Sequence, residues 1–327
     1  MIKLFKRLGD KFYMLFRVYY YWSVVLKQWF SGKYMRHLFL PFVGFEPNKG
    51  VLYPEMTRAN RKDYVSDYFR WVTSYKINNP YKYFFMDKLN FFFFIKSFSD
   101  KVCPVLGYYS KEGSYTEIMH PEAIPFSFDK IIYKPNKGTK GGGIEIAPRH
   151  DSSGKKYRDY IACPFLVQDN YASKIFPDAL NTIRVFTGIL DRKAVCICAV
   201  HRFGRKGVKG VDNFSQGGIS ALINLQDGKM VKACYFNGKE RVSVDTHPDT
   251  GSPIVGVTVE GWREMLAEIL ELQQRIAFIR YLAWDIAMVN GSYSIIEANH
   301  VSDVDLYQCH GPIMTDANQK RFFSQYK

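Results

Sequence analysis

Residues 281–300 read YLAWDIAMVNGSYSIIEANH. Two apolar runs, 281–289 and 293–297, flank Asn290-Gly291, a dipeptide that strongly favours a two-residue hairpin turn. Asp285 interrupts the first run. Glu297 and Asn299 stand two residues apart, so on a strand their side chains point to the same face. Burying a carboxylate is costly unless a cation compensates it. Two carboxylates and an amide on facing strands are hard oxygen ligands of the kind Mg²⁺ takes. A structural reading is equally open here: Asp285 caps its strand and Glu297 pairs with a lysine.

Upstream of this hairpin the chain is strand-rich. Candidate strands cover 129–134, 144–147, 160–168, 181–189, 193–201, 219–225 and 229–236, with turn chemistry at Asp227-Gly228. One helix over about 260–277 carries Trp262, Met265, Leu266, Ile269, Leu272 and Ile276 in register. Earlier, 41–50 reads as a linker. A helix over about 61–76 has Tyr64, Tyr68, Trp71, Val72 and Tyr75 on its apolar side, and another begins near Asp87. Strands adjacent in sequence and joined by short turns predict an α+β chain with antiparallel sheets.

A second stretch, KIIYKPNKGTKGGGIEI at 130–146, places Lys137, Lys140 and Gly138, Gly141, Gly142 and Gly143 between two β-prone runs. One reading is a plain turn with solvated lysines. The other is a phosphate cradle, in which glycines let backbone N–H groups approach an anion and lysines neutralise it. The helix-opening loop Gly-x-x-x-x-Gly-Lys-Ser/Thr is absent, and no helical pattern follows Gly143.

The 327 residues carry a net charge of +14, which points to an acidic partner. Eight lysines and arginines against Asp10 alone concentrate half of that excess in residues 1–40. There Phe5, Leu8, Phe12, Leu15, Tyr19, Trp22, Leu26 and Trp29 recur at helical spacing. Such a helix either packs on the main body or lies on an anionic membrane surface. No RNA-binding signature accompanies the charge, which argues against nucleic acid. The early apolar residues lack a cleavage site, and no run reaches the roughly 20 residues of a membrane span. The six cysteines form no Cys-x-x-Cys pair, which argues against zinc and fits a reducing, cytoplasmic compartment.

The order of these parts, a lysine-and-glycine flap followed by an Asp…Glu-x-Asn hairpin, resembles the ATP-grasp superfamily. MDKLN at 86–90 and Lys134 in YKP resemble its two nucleotide lysines, and FLVQDNY at 165–171 resembles its hinge strand. LNTIRVFTG at 180–188, HRFGRKGVKGVDNFSQGG at 201–218 and WDIAMVNGSYSIIEAN at 284–299 are similar to the sugar-transfer associated ATP-grasp family, related to α-L-glutamate ligases. The resemblance implies an ATP-grasp fold, two lobes whose antiparallel sheets sandwich ATP. The expected division is an N-terminal helical region at 1–80, a first lobe at 81–165 and a second at 166–327.

The resemblance also implies a carboxylate–amine ligase using ATP and Mg²⁺ through an acyl phosphate, in surface-polysaccharide biosynthesis. Its substrates would be an amine and a carboxylate borne by an amino acid or a uronic acid. Lys88, Lys134, Lys137, Lys140, Gly141, Gly142, Gly143, Gln168 and Asp169 are the implied nucleotide residues. Asp285, Glu297 and Asn299 are the implied metal ligands. Arg184 and Arg202 would fork onto a carboxylate or a developing phosphate charge, and Asp212, Asn213, His300 and Asp303 would meet substrate. The rival expectations are a phosphotransferase acting on a hydroxyl and a non-catalytic binder at the inner face of a membrane.

Overall fold

The structure is a computed structural model and describes residues 2–79, 81–138, 142–149, 157–207 and 212–326; for 2–11, 35 and 75 it describes backbone alone. Lys140 and Gly141 lie outside the described residues.

Among the described residues, strands β1 (Gly107–Tyr109), β2 (Tyr115–Glu117), β3 (Lys130–Pro135), β4 (Glu145–Pro148) and β5 (Tyr160–Pro164) form one antiparallel sheet in the order β2-β1-β5-β3-β4. A second sheet holds β6 (Ile183–Leu190), β7 (Lys193–Phe203), β8 (Ile219–Ile223), β9 (Met230–Phe236), β10 (Arg241–Val244), β11 (Tyr281–Val289) and β12 (Ser292–Asn299), in the order β10-β9-β8-β7-β6-β11-β12. Every pairing between these strands is antiparallel, both where a short turn joins neighbours, as between β6 and β7, and where distant strands meet, as between β1 and β5 and between β6 and β11. The chain passes from the first sheet to the second through residues 165–169, where Gln168 bridges Val289. The architecture is thus the two-sheet ATP-grasp arrangement.

Among the described residues the α-helices are α1 (Ile2–Phe30), α2 (Lys49–Leu52), α3 (Ser74–Ile77), α4 (Lys88–Lys96), α5 (Asn170–Ile175), α6 (Trp262–Arg275), α7 (Asp305–Gln308) and α8 (Ala317–Ser324). Asp87 is the N-cap of α4 and accepts a hydrogen bond from the Asn90 N–H, so its carboxylate also faces the positive helix end. The hairpin turn is as its dipeptide demands: Asn290 and Gly291 have φ of 53° and 67°.

The second sheet is covered on both faces, which is why β11 is buried along its whole length and shows no alternation. On one face α6 contributes Trp262, Met265, Ile269 and Leu272. On the other lie Phe45, Tyr53, Tyr64 and Val65 with Phe186, Tyr281, Tyr307, Phe322 and Phe323. Residues 41–50 are therefore not a linker. Phe45, Glu46 and Lys49 are buried, and Lys49 reaches Asp67 at 3.3 Å and Asp305 at 2.6 Å. Nor is 61–76 one helix. A single 3-10 turn at Arg61–Asp63 gives way to extended Tyr64, and helix resumes only at Asp67. Tyr64 and Val65 leave the helical path because they fill the core beneath the second sheet.

Candidate functional site

Asp285 sits mid-strand on β11 with Arg184 of β6 directly opposite on one side and Glu297 of β12 opposite on the other. Cross-strand partners share a face, so the three side chains form a row across the sheet. Arg184 donates from Nε to Asp285 Oδ1 at 2.6 Å and from a terminal nitrogen to Oδ2 at 2.5 Å. Arg202 of β7 donates to Oδ2 at 3.1 Å. Arg184 thus forks onto a carboxylate, as its type favours, and Arg202 adds a single bond, but the carboxylate is the chain's own.

Burial pushes the Asp285 carboxyl upward, and Arg184 and then Arg202 more than offset this, holding it below the usual range. Glu297 goes the other way: burial first and the Asp285 charge second raise it, with Lys88 partly opposing. The Asn299 Nδ2 is buried and without a hydrogen-bond partner.

Lys88 at the start of α4 brings its ammonium to the Pro135 carbonyl at 3.0 Å and the Gly138 carbonyl at 3.2 Å, at the base of the glycine loop. Its pKa is lowered, by burial first, with Glu297 acting against the shift. Glu297 also acts on Lys134 of β3, as do Cys163 and Cys103. Lys88 of α4, Lys134 of the first sheet and the hairpin carboxylate of the second therefore lie within electrostatic reach of one another. Lys137, Gly142 and Gly143 are exposed beyond them. Gly143 is there for cause: its φ is 73°, and an added Cβ would stand 3.0 Å from both the Pro135 ring and the Tyr160 hydroxyl.

The other sequence candidates divide. Asp212 accepts from the Thr182 N–H at 2.8 Å and from its hydroxyl at 2.5 Å, and lies 3.5 Å from Arg202, so it belongs to the arginine network. Thr182, which joins Arg202 to Asp212, had one sequence signal: it lies two residues before Arg184, on the same face. Asn213 caps a turn by accepting from Ser215. Asp303 pairs with Arg70 at 2.9 Å, in the network of Lys49 and Asp305. His300 is held neutral, its pKa lowered to about 4 by burial and by Lys82. Gln168 is spent on packing: it donates to the Phe176 carbonyl at 2.9 Å and accepts from the Asn181 N–H at 2.8 Å. Asp169 accepts from the Gly291 N–H at 3.1 Å.

The donor chemistry suits a hard divalent cation. Glu297 and Asn299 offer oxygen on one face of β12, and Asp285 offers oxygen opposite Glu297. Asp285 would share its charge with two guanidinium groups.

A second feature lies on α1. Its inner face, Arg17, Tyr21 and Val25, is buried, with Arg17 Nε donating to the Trp71 carbonyl at 2.7 Å. Its outer face leaves Phe12 71%, Leu15 66% and Tyr19 69% exposed. Beside it Arg36, His37, Phe39, Phe42, Arg58 and Arg61 line a cavity of about 480 Å³. Among the described residues, no helix is long and apolar enough to cross a membrane.

Among solved structures, the chain is similar to D-alanine–D-alanine ligase from Helicobacter pylori, at 10% identity over 75% of this chain and 61% of that one, with a TM-score of 0.40. It is similar to the L-amino acid ligase from Bacillus licheniformis at 7% identity, over 79% of this chain and 56% of that one, with a TM-score of 0.41. It is also similar to N5-carboxyaminoimidazole ribonucleotide synthetase from Thermotoga maritima at 9% identity, over 75% and 56%, with a TM-score of 0.37. The chain spans less than two thirds of the length of each. Comparison with curated protein sequences returned no match. The model of the sugar-transfer associated ATP-grasp family matches residues 150–318, the stretch that holds Arg184, Arg202, Asp285, Glu297 and Asn299. With half of its length in that match, the chain belongs to the sugar-transfer associated ATP-grasp family.

Proposed function

We propose that the protein is an ATP- and Mg²⁺-dependent ligase that joins a carboxylate to an amine through an acyl phosphate. Its setting would be the assembly of a surface polysaccharide on the inner face of a membrane. The observation that supports this best is the meeting of Lys88 from α4 and Lys134 from the first sheet with Glu297 from the second, beside Asp285. Phosphoryl transfer needs mainly positioning and charge neutralisation, and these residues supply both.

Lys88 and Lys134 would neutralise the α- and β-phosphates of ATP. Lys137, Lys140 and the glycines Gly141, Gly142 and Gly143 would cover the remaining phosphate with N–H groups and charge, and exclude water from an acyl phosphate. Asp169 suits the ribose hydroxyls, and the backbone of 165–171 the adenine. Glu297, Asn299 and Asp285 would hold Mg²⁺, which when bound aligns and neutralises phosphate oxygens. Arg184 and Arg202 position Asp285 and carry further guanidinium donors for the substrate carboxylate. Asp212, through Arg202, and Asn213, His300 and Asp303 complete the substrate side.

The membrane setting rests on α1 and its neighbourhood. Its exposed apolar face together with the Arg36, Arg58 and Arg61 cavity suits an interface of apolar chains and anionic headgroups.

The test is ADP release screened against amino acids and uronic acids in the presence of Mg²⁺, with mass spectrometry of the products. An amide between one of the acids and an added amine is expected. A phosphorylated alcohol without an amide would replace the ligase with a phosphotransferase. ATP hydrolysis that no acid stimulates would overturn both.

A further inference from the structure

Cys234 on β9 and the pair Cys309 and His310, just after α7, have no part in the chemistry above. Their ligand atoms, two thiol sulfurs and an imidazole nitrogen, all lie within 4.8 Å of one another, and all three residues are buried.

The proton on the imidazole is assigned by its surroundings. Ser220 Oγ lies 3.0 Å from His310 Nε2, and the same hydroxyl donates to the Leu306 carbonyl at 2.6 Å. With its one hydrogen committed, Ser220 has only lone pairs to offer Nε2. His310 therefore carries its proton on Nε2 and turns the Nδ1 lone pair toward Cys234 Sγ, 3.9 Å away. A ligating histidine is oriented in this way, with its outer nitrogen bonded to a fixed acceptor. The backbone that carries the other ligands is also fixed. Arg241 donates to the Cys309 carbonyl at 2.6 Å, and Lys232 donates to the His310 carbonyl at 3.1 Å. Arg241 is itself anchored by Glu55. Arg241 favours a deprotonated thiol at Cys234, the form that binds metal.

We propose that Cys234, Cys309 and His310 form a structural site for a thiophilic d¹⁰ cation of the Zn²⁺ class. Bond lengths of about 2.3 Å to sulfur and about 2.0–2.1 Å to nitrogen set ligand separations of roughly 3.5–3.8 Å in a tetrahedron. From separations of up to 4.8 Å the three ligand atoms reach that by closing in by up to about 1 Å. Loading would exchange two thiol protons for the cation, leaving two thiolates, one neutral imidazole and a coordination position for water. It would staple the α7 end to β9, and so brace the segment that carries Asp303 and Asp305.

The experiment uses the full chain, purified under reductant and stripped with chelator, and titrates it with Co²⁺ followed by Zn²⁺. The expected result is one Co²⁺ per chain, with thiolate charge-transfer and tetrahedral visible bands that Zn²⁺ abolishes. Cys234→Ser and Cys309→Ser should each remove the bands, while Cys196→Ser keeps them. Ser220→Ala, which frees the imidazole without touching a ligand, should weaken Co²⁺ binding by about 10- to 100-fold. If the serine variants do not fold, this variant and the wild-type titration decide alone. Folded, reduced wild type without charge-transfer bands would overturn the site. So would unchanged affinity in Ser220→Ala, or a Cys234–Cys309 disulfide that survives reductant.

Discussion

Replacing Asp285 by asparagine should destabilise the fold, quite apart from any loss at the proposed metal site. Asp285 is 2% exposed and accepts three guanidinium hydrogen bonds, two from Arg184 and one from Arg202. Asparagine keeps the shape but removes the charge, and its amide nitrogen turns a donor toward donors. Two buried guanidinium groups then lose their main counter-ion. Breaking a buried pair in this way costs about 3–5 kcal/mol. At about 2–4 °C per kcal/mol for a domain of this size, the melting temperature should fall by about 6–20 °C. Glu297→Gln should behave oppositely. Burial and the Asp285 charge already oppose ionisation of Glu297, so the neutral isostere should leave stability within about 1 kcal/mol of wild type. Thermal and urea unfolding of both variants, without nucleotide or Mg²⁺, measure this directly. In an Arg184→Met background the cost of Asp285→Asn should shrink, by a coupling of about 0.5–3 kcal/mol. If Asp285→Asn melts with wild type, the carboxylate is not what holds the arginines. If Glu297→Gln unfolds as readily, the two carboxylates are not differentiated.

Glu297→Gln is then the clean probe of metal, and Mg²⁺-dependent ADP release should fall at least about a hundredfold in a variant that stays folded. Binding of a non-hydrolysable ATP analogue with Mg²⁺ should protect the amides of Lys137, Gly138, Gly142 and Gly143 from hydrogen exchange; equal exchange in both states returns the loop to a plain turn. The chain should sediment with vesicles containing phosphatidylglycerol and not with phosphatidylcholine alone, and salt should release it. Phe12→Ser, Leu15→Ser and Tyr19→Ser together should abolish that binding without unfolding, since all three side chains are exposed. The buried His201 is held neutral, its pKa lowered to about 3 by burial, so the unfolded chain takes up its proton first as pH falls below about 6.5. From pH 7 to pH 5 the stability gap between wild type and His201→Gln should narrow by about 2 kcal/mol; a constant gap would mean that the folded state protonates with the unfolded one.

Much of the fold was legible because its signals are local. The 281–300 hairpin, the α6 stripe and seven strands of the sheets follow from turn dipeptides and periodicity within a few residues. What was illegible depends on distant partners. β1 and β2 are three residues each, and β2 is exposed throughout, so neither carries an alternation that could be read. Lys49 looks like any surface lysine until Asp67 and Asp305 are brought to it. The aromatic spacing of 61–76 imitates a helix, although Tyr64 and Val65 answer to the core and only the residues from Asp67 onward obey the helical period. On α1 the spacing showed a helix but left its address open: Phe12, Leu15 and Tyr19 of the stripe face outward, while Arg17, Tyr21 and Val25 are the buried residues. In the site, the residue types announced ionic chemistry, but not that Arg184 and Arg202 would claim Asp285. Cysteine spacing could not show that Cys234, Cys309 and His310 converge from a strand and a remote turn.

The arginines also decide what the cleft offers an incoming ligand. Arg184 and Arg202 are matched in charge by Asp285 and Asp212, to which they are bonded or adjacent. Set against that neutral base, Lys88 and Lys134 outweigh Glu297 beneath the loop, and Lys137 in the loop adds to the positive side. A free divalent cation meets net repulsion there, and Asp285 cannot bind it without relaxing its guanidinium bonds. A polyphosphate carrying its own Mg²⁺ meets the opposite field: the lysines attract the phosphates, and the metal arrives with its charge already screened. Electrostatics therefore favour entry of metal and nucleotide together. The loss in Glu297→Gln should then appear mainly as weaker binding of the Mg²⁺–nucleotide complex, and only slightly as weaker binding of nucleotide without metal.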